Sequence, residues 1–194
     1  MVVSKDDLLK RENEIKEADL DLEKIINHYQ KRGTNNAGYL PKNIKEKLEY
    51  ITQELDLDKK VFEKNPVLFG LTRENLEPKV EYITQELDLD KKVFEKFPAL
   101  FNFSRENLEP KFEYITQELD LDKKVFEKKP NLFSYSMSKR IWPRLELIRE
   151  KGLNFDARMI SSPEDSFLHQ YEIEKYQLDS KIDQFEDSVY AKKL

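Results

Sequence analysis

Apolar residues recur at i, i+4, i+7 and i+11 in the stretch carrying Leu76, Val80, Ile83 and Leu87. That stripe is the buried face of an amphipathic helix. Asn75 is its expected N-cap. Pro78 falls in the expected first turn, where a missing N–H is harmless and the fixed φ helps. The helix is expected to stop near Asp88, because Leu87-Asp88-Leu89-Asp90 brings two poor interior residues together. Asp90 then caps a second helix whose Val93, Phe94, Leu100 and Phe101 point inward, bent or ended by Pro98. Residues 103–107 lead into the next long helix as a turn of 3₁₀ helix.

The same pattern is written twice almost verbatim. Residues 49–80 and 81–112 differ at six of 32 positions: Asn65/Phe97, Val67/Ala99, Gly70/Asn102, Leu71/Phe103, Thr72/Ser104 and Val80/Phe112. A third copy starts at Glu113 and diverges after Lys128. Such a period marks stacked repeats, since one unit is too small to bury its own apolar face. Residues 39–50 match 71–82 and belong to an earlier unit. Residues 18–32 resemble a degenerate second helix, with Asp19-Leu20-Asp21 standing where Asp56-Leu57-Asp58 stands; residues 33–38 are a loop. The last copy is one residue longer at its front, and Gly152 terminates its helix better than the aspartates of the inner copies. Residues 155–194 are polar, acidic and less periodic, expected as a capping helix and a loose tail. The expected fold is an all-α solenoid of two helices plus a short 3₁₀ turn per 32-residue unit. A helical cap is expected over 1–38, the array over 39–153, and a C-terminal cap and polar tail over 154–194.

Composition narrows the chemistry. The chain is 38% hydrophobic and 38% charged, with twelve Phe and nine Tyr, too apolar for a disordered segment. It contains no cysteine, so disulfides and thiolate chemistry are excluded. No apolar run approaches a membrane span, and the acidic start is neither a signal nor a transit peptide. The expectation is an intracellular protein, or one that has lost its leader. His28 and His169 have no ligand-type spacing, the Asp-Leu-Asp runs lack the glycine of a calcium loop, and no phosphate-loop or nucleophile motif occurs. We therefore expect no catalytic residues, no metal, no cofactor and no small-molecule substrate.

Pro66-Val67-Leu68, Pro98-Ala99-Leu100 and Pro130-Asn131-Leu132 form one recurring element. Leu76-Glu77-Pro78-Lys79, Leu108-Glu109-Pro110-Lys111 and Ile141-Trp142-Pro143-Arg144 form another, and Lys151-Gly152-Leu153 closes the last copy. In order and spacing these resemble the mTERF family, the mitochondrial and chloroplast transcription termination factor repeat, over about residues 39–171. The segments 133–144 and 163–171 are similar to its plant-type C-terminal repeat. The resemblance implies an α-solenoid of mTERF-type repeats, nucleic-acid binding (DNA or RNA), a role in transcription or its termination, and a mitochondrial or chloroplast location. Two differences stand out. Asp56, Asp88 and Asp120 occupy places where the family has Gly, and the inner repeats are acidic where the family's concave face is basic.

Repeat register puts Lys47, Lys79, Lys111 and Arg144 at one position, just after the helix proline in the last three. Stacked, they form a cationic row suited to a phosphate track; the same row also suits a solvated flank. Lys128, Lys129, Lys139, Arg140, Arg149 and Lys151 add a second cluster. Residues 113–145 carry seven basic side chains against five acidic ones, whereas each of the two preceding copies carries five against seven. Tyr135 and Trp142 lie in the same segment as potential base-stacking rings, with packing between units the favoured role for Trp142. Positions 65/97/129 and 70/102/134 vary between copies and suit either readout or drift. The net charge of −5 also suits an acidic scaffold for a basic protein partner.

Overall fold

The structure, a computed structural model, describes residues 4–31 and 43–193; among them there is no strand. The loop expected at 33–38 and the boundary at residue 38 lie outside the described residues. The chain divides into two compact units, Met1–Phe101 and Asn102–Leu194.

The N-terminal unit holds α1 (Lys5–Glu17), α2 (Leu22–Lys31), α3 (Ile44–Glu49), α4 (Val61–Lys64), α5 (Arg73–Glu81) and α6 (Val93–Lys96). The C-terminal unit holds α7 (Arg105–Glu113), α8 (Lys124–Lys128), α9 (Trp142–Glu150), α10 (Ala157–Ser161), α11 (Glu164–Gln170) and α12 (Lys175–Gln184). The long helices α3, α5 and α7 each run on into a π turn: Tyr50–Glu54, Tyr82–Glu86 and Tyr114–Glu118. A threonine hydroxyl in each turn donates to the carbonyl four residues back, Thr52 to Leu48 at 2.7 Å, Thr84 to Val80 at 2.8 Å and Thr116 to Phe112 at 2.7 Å. That hydroxyl competes with the backbone ladder, which widens to five-residue spacing as Leu55 N–H bonds Tyr50 O at 3.0 Å.

The first aspartate of each Asp-Leu-Asp run acts as expected. Asp19, Asp56, Asp88 and Asp120 sit at φ of 50–52°, the left-handed conformation that ends a helix, and Gly152 takes the same role at φ 65°. The second aspartate, expected as the next helix's cap, instead accepts in the turn that leads into it: Asp58 accepts from Lys60 N–H at 2.8 Å, Asp90 from Lys92 at 2.8 Å and Asp122 from Lys124 at 2.9 Å, while the N-caps of α4, α6 and α8 are Lys60, Lys92 and Lys123. Asp19 and Asp21 stand in the same places between α1 and α2, with Asp21 accepting from Lys24 at 3.0 Å.

Three further local expectations are corrected. Thr72, not Asn75, is the N-cap of α5; Asn75 answers it from the third helical position, its Oδ1 3.1 Å from Thr72 Oγ1. The helix consequently starts earlier, and Pro78 and Pro110 lie inside α5 and α7 rather than in the first turn. Each proline removes the N–H that would bond the carbonyl four residues back, at Glu74 and Glu106, both exposed residues. The 3₁₀ turn comes one step earlier than expected, at Pro66–Gly70, Pro98–Asn102 and Pro130–Ser134. Each turn is folded back on its short α-helix by a stacked ring pair: Phe62–Phe69 at 4.2 Å, Phe94–Phe101 at 4.1 Å and Phe126–Phe133 at 4.2 Å.

The extra residue of the last copy is absorbed as a π turn at Met137–Ile141, directly before α9. The segment expected as a loose tail is packed instead. Leu178 of α12 is fully buried, and Phe185 and Tyr190 beyond it are nearly so. Leu178, Ile182 and Phe185 at i, i+4 and i+7 are the stripe that announces this helix.

Candidate nucleic-acid interface

Lys47 and Lys111, which share one repeat position, turn inward. Lys47 Nζ donates to Phe69 O at 2.5 Å and Leu71 O at 2.6 Å. In the C-terminal unit Lys111 is only 4% exposed, and its amine donates to Phe133 O at 2.7 Å and Asn107 Oδ1 at 2.8 Å. Both lysines reach the end of a 3₁₀ turn, where the last carbonyls have no donor of their own. Burial pushes both amines below the usual lysine value, Lys111 to about 8. Lys79 holds the equivalent place on α5 and is half-buried.

Arg144 is more deeply committed. At 1% exposure it donates through one nitrogen to Met159 O at 3.1 Å, Ile160 O at 3.4 Å and Ser162 O at 2.8 Å, around the last turn of α10. Its guanidinium lies 4.6 Å from the centre of the Phe167 ring. Burial, then the nearby Arg140, lowers its affinity for a proton to a pKa of about 10. Lys47, Lys111 and Arg144 thus spend their donors on backbone carbonyls within their own unit, and the row expected as a phosphate track is occupied at these positions.

The remaining six candidates all belong to the C-terminal unit and reach water. Lys128 closes α8 and is exposed, with Lys129 half-buried beside it. Lys139 and Arg140 lie in the π turn before α9; Arg140 sits 4.9 Å over the Tyr135 ring. Arg149 is 52% exposed and paired with Glu146 of the same helix. Lys151, exposed just past α9, donates to Glu172 O at 3.1 Å. Between Lys128 and Lys151 there are seven cationic residues against two carboxylates, Glu146 and Glu150.

One polar network is not signalled by the sequence. Tyr114 OH donates to Glu146 Oε1 at 2.7 Å, and Glu146, buried, also accepts from Arg149. Burial, then the Glu146 carboxylate, pushes the Tyr114 phenol far up. Glu146 falls three residues before Arg149 on one helix face, a spacing that suits the ion pair but does not reveal its burial. Trp142 packs edge-on against Phe185 at 5.7 Å, the favoured packing role. Of the varying positions, Asn65 is buried and bonds Pro98 O at 3.1 Å, whereas Gly70, Asn102 and Ser134 are all exposed.

No helix of the described residues is long and apolar enough to cross a membrane. In the N-terminal unit a cavity of about 290 Å³ is lined by Glu46, Glu49, Glu54, Glu74, Tyr50 and Arg73. A search of curated proteins finds no significant match. The family model described as mTERF matches residues 36–170, spanning the repeat pairs, the lengthened last copy and the cationic stretch just described. The chain belongs to the mTERF family of helical-repeat proteins.

Proposed function

We propose that this protein binds nucleic acid along the phosphate backbone, through the cationic surface of its C-terminal unit, and regulates transcription or its termination in mitochondria or chloroplasts. The supporting observation is the set of six water-accessible cations, Lys128, Lys129, Lys139, Arg140, Arg149 and Lys151, in a stretch whose two carboxylates include one buried inside the unit. Family membership supports the same direction, because mTERF proteins are nucleic-acid-binding repeat proteins of organellar gene expression. Lys47, Lys111 and Arg144 serve in this reading as fasteners that hold the scaffold. Lys79 remains a candidate contact.

Fluorescence anisotropy of labelled duplex DNA and single-stranded RNA, at low and moderate salt, tests the proposal. Binding should weaken steeply with salt. Replacing Lys128, Lys129, Lys139 and Arg140 by Ala should flatten the slope by about 0.9 for each duplex phosphate that is no longer neutralised. Unchanged affinity and slope in that variant would remove the site assignment.

A second reading has its own observation. The cavity of the N-terminal unit, with four glutamates against Lys47 and Arg73 in its lining, suits a basic protein partner. Absence of nucleic-acid binding even at low salt would favour it.

A further inference from the structure

Repeat register places an arginine at the first helical position after the N-cap: Arg73 after Thr72, and Arg105 after Ser104. The N-terminal unit shows what Arg73 does. Its guanidinium lies 4.8 Å over the Tyr50 ring. It also forks onto Glu54, Nη1 to Oε1 at 2.9 Å and Nη2 to Oε2 at 2.5 Å. Tyr50 opens and Glu54 closes one π turn. A single turn therefore offers an aromatic face and a bidentate carboxylate, a pairing that suits a planar guanidinium and not an ammonium.

The C-terminal unit repeats that turn as Tyr114–Glu118 but lacks the arginine. After the N-cap Ser136, the first position is Met137, which is buried. Tyr190 stands in instead, with its ring edge-on to Tyr114 at 5.1 Å. Its hydroxyl donates to the Glu118 carboxylate, and the charges of Glu113 and Glu146 also bear on it. Burial, followed by these carboxylates, raises the phenol to about 12. A neutral phenol thus fills a place beside the Glu118 carboxylate, under the charges of Glu113 and of Glu146, the latter paired with Arg149, and a guanidinium there meets Glu118 as Arg73 meets Glu54. Tyr190 comes from the last turns of the chain, past Phe185–Asp187.

We propose that the Tyr114–Glu118 turn is an arginine-binding slot, closed here by Tyr190, which admits an arginine side chain of a partner polypeptide when the C-terminal segment moves aside. The inference stands apart from nucleic-acid binding. Its precedent is the filled slot at Tyr50 and Glu54 of the same molecule, and its charge complementarity is that of Glu118, with Glu113 beside it.

The full chain carrying Tyr190→Ala is titrated with a labelled peptide of residues 71–81, and with the same peptide carrying Arg73→Ala. The variant should bind the arginine peptide at least about ten-fold more tightly than the parent chain does, roughly 1.4 kcal/mol. The alanine peptide should show no such gain, and adding Glu118→Gln should abolish it. Equal binding of the two peptides, or no gain in a variant that still melts cooperatively, overturns the slot. Self-association of Tyr190→Ala that Glu118→Gln removes would place the arginine on a second copy and support the slot. If Tyr190→Ala fails to fold, Tyr190→Arg and Tyr190→Leu decide. The slot requires the arginine variant to melt above the leucine variant, and the opposite order refutes it.

Discussion

Lys111 separates two roles that a repeated lysine can play, fastening the scaffold or gripping a phosphate. In Lys111→Met the stem keeps its length while the ammonium goes, and Phe133 O loses the donor 2.7 Å away. Asn107 Oδ1, on a half-buried residue, loses its donor too but lies nearer water. One buried orphaned acceptor costs about 1–3 kcal/mol. Relief of the buried charge offsets part of that, so Lys111→Met should be destabilised by about 1–2 kcal/mol. Lys111→Ala also loses about three methylenes of packing, worth roughly 2 kcal/mol more. At about 2–4 °C per kcal/mol for a chain of this size, the melting temperature should fall by about 5 °C and about 10 °C respectively. Calorimetry reads those shifts, and anisotropy at two salt concentrations reads the nucleic-acid slope. The fastening role requires a lower melting temperature with the slope unchanged in the folded variant. An unaltered melting temperature with a slope reduced by about 0.9 would show that Lys111 grips phosphate, and would refute the fastening role.

Three further outcomes follow from the geometry. Asp120→Gly should raise stability by about 1 kcal/mol, because φ of 52° strains any residue with a Cβ; Gly152→Asp should lower it similarly, both read by chemical denaturation. Phe126→Ala, which removes a fully buried ring stacked on Phe133 and lying 5.5 Å from Phe112, should cost about 3–5 kcal/mol by the same assay. Lys111 carries a folded pKa of about 8 against 10.5 for the ordinary side chain, so between these values the unfolded chain holds the extra proton and stability rises with pH. Denaturation of the parent chain at pH 8 and pH 10 should show this increment, and Lys111→Met should lack it.

The sequence made the repeat legible because duplication wrote the same signals several times. Asp-Leu-Asp announced the end of one helix, and φ near 50° at the first aspartate agrees, whereas the cap expected at the second falls two residues on, or one at α8. The lengthened last copy was visible as a count; its consequence, the π turn at Met137–Ile141, was not, because an extra residue can equally enter a loop. The direction of Lys47, Lys111 and Arg144 was also hidden. A long cationic stem can carry its head to water or to a carbonyl, and only the neighbouring turn decides which. Glu146 and Tyr190 were missed for a related reason: one is a charge inside, the other a ring in a polar tail, and both acquire meaning only from their contact with Tyr114 and its neighbours.

These placements reconcile the proposed cationic surface with a net charge of −5. In the inner copies the polar side chains are used between repeats. Glu63 accepts from Asp21 N–H at 3.0 Å and Glu95 from Asp58 N–H at 2.9 Å. Lys47 and Lys92 donate to backbone carbonyls of neighbouring copies, Lys92 to Asp56 O at 3.0 Å. Duplication copies such fasteners together with the acids around them, so each inner copy keeps seven acidic residues against five basic ones. Divergence after Lys128 relaxes that requirement. There the cations outnumber the acids, Arg144 takes over the fastening inside, and the others extend to solvent. The ligand surface is therefore best sought where the copies cease to match, and the test is asymmetric. Charge reversals at exposed acids of residues 49–112 should leave nucleic-acid affinity within about two-fold at moderate salt, since screening confines their reach to about 8–10 Å. A single neutralisation at Arg140 or Lys139 should exceed that change. An equal response from both regions would mean that binding uses the whole array, not its divergent end.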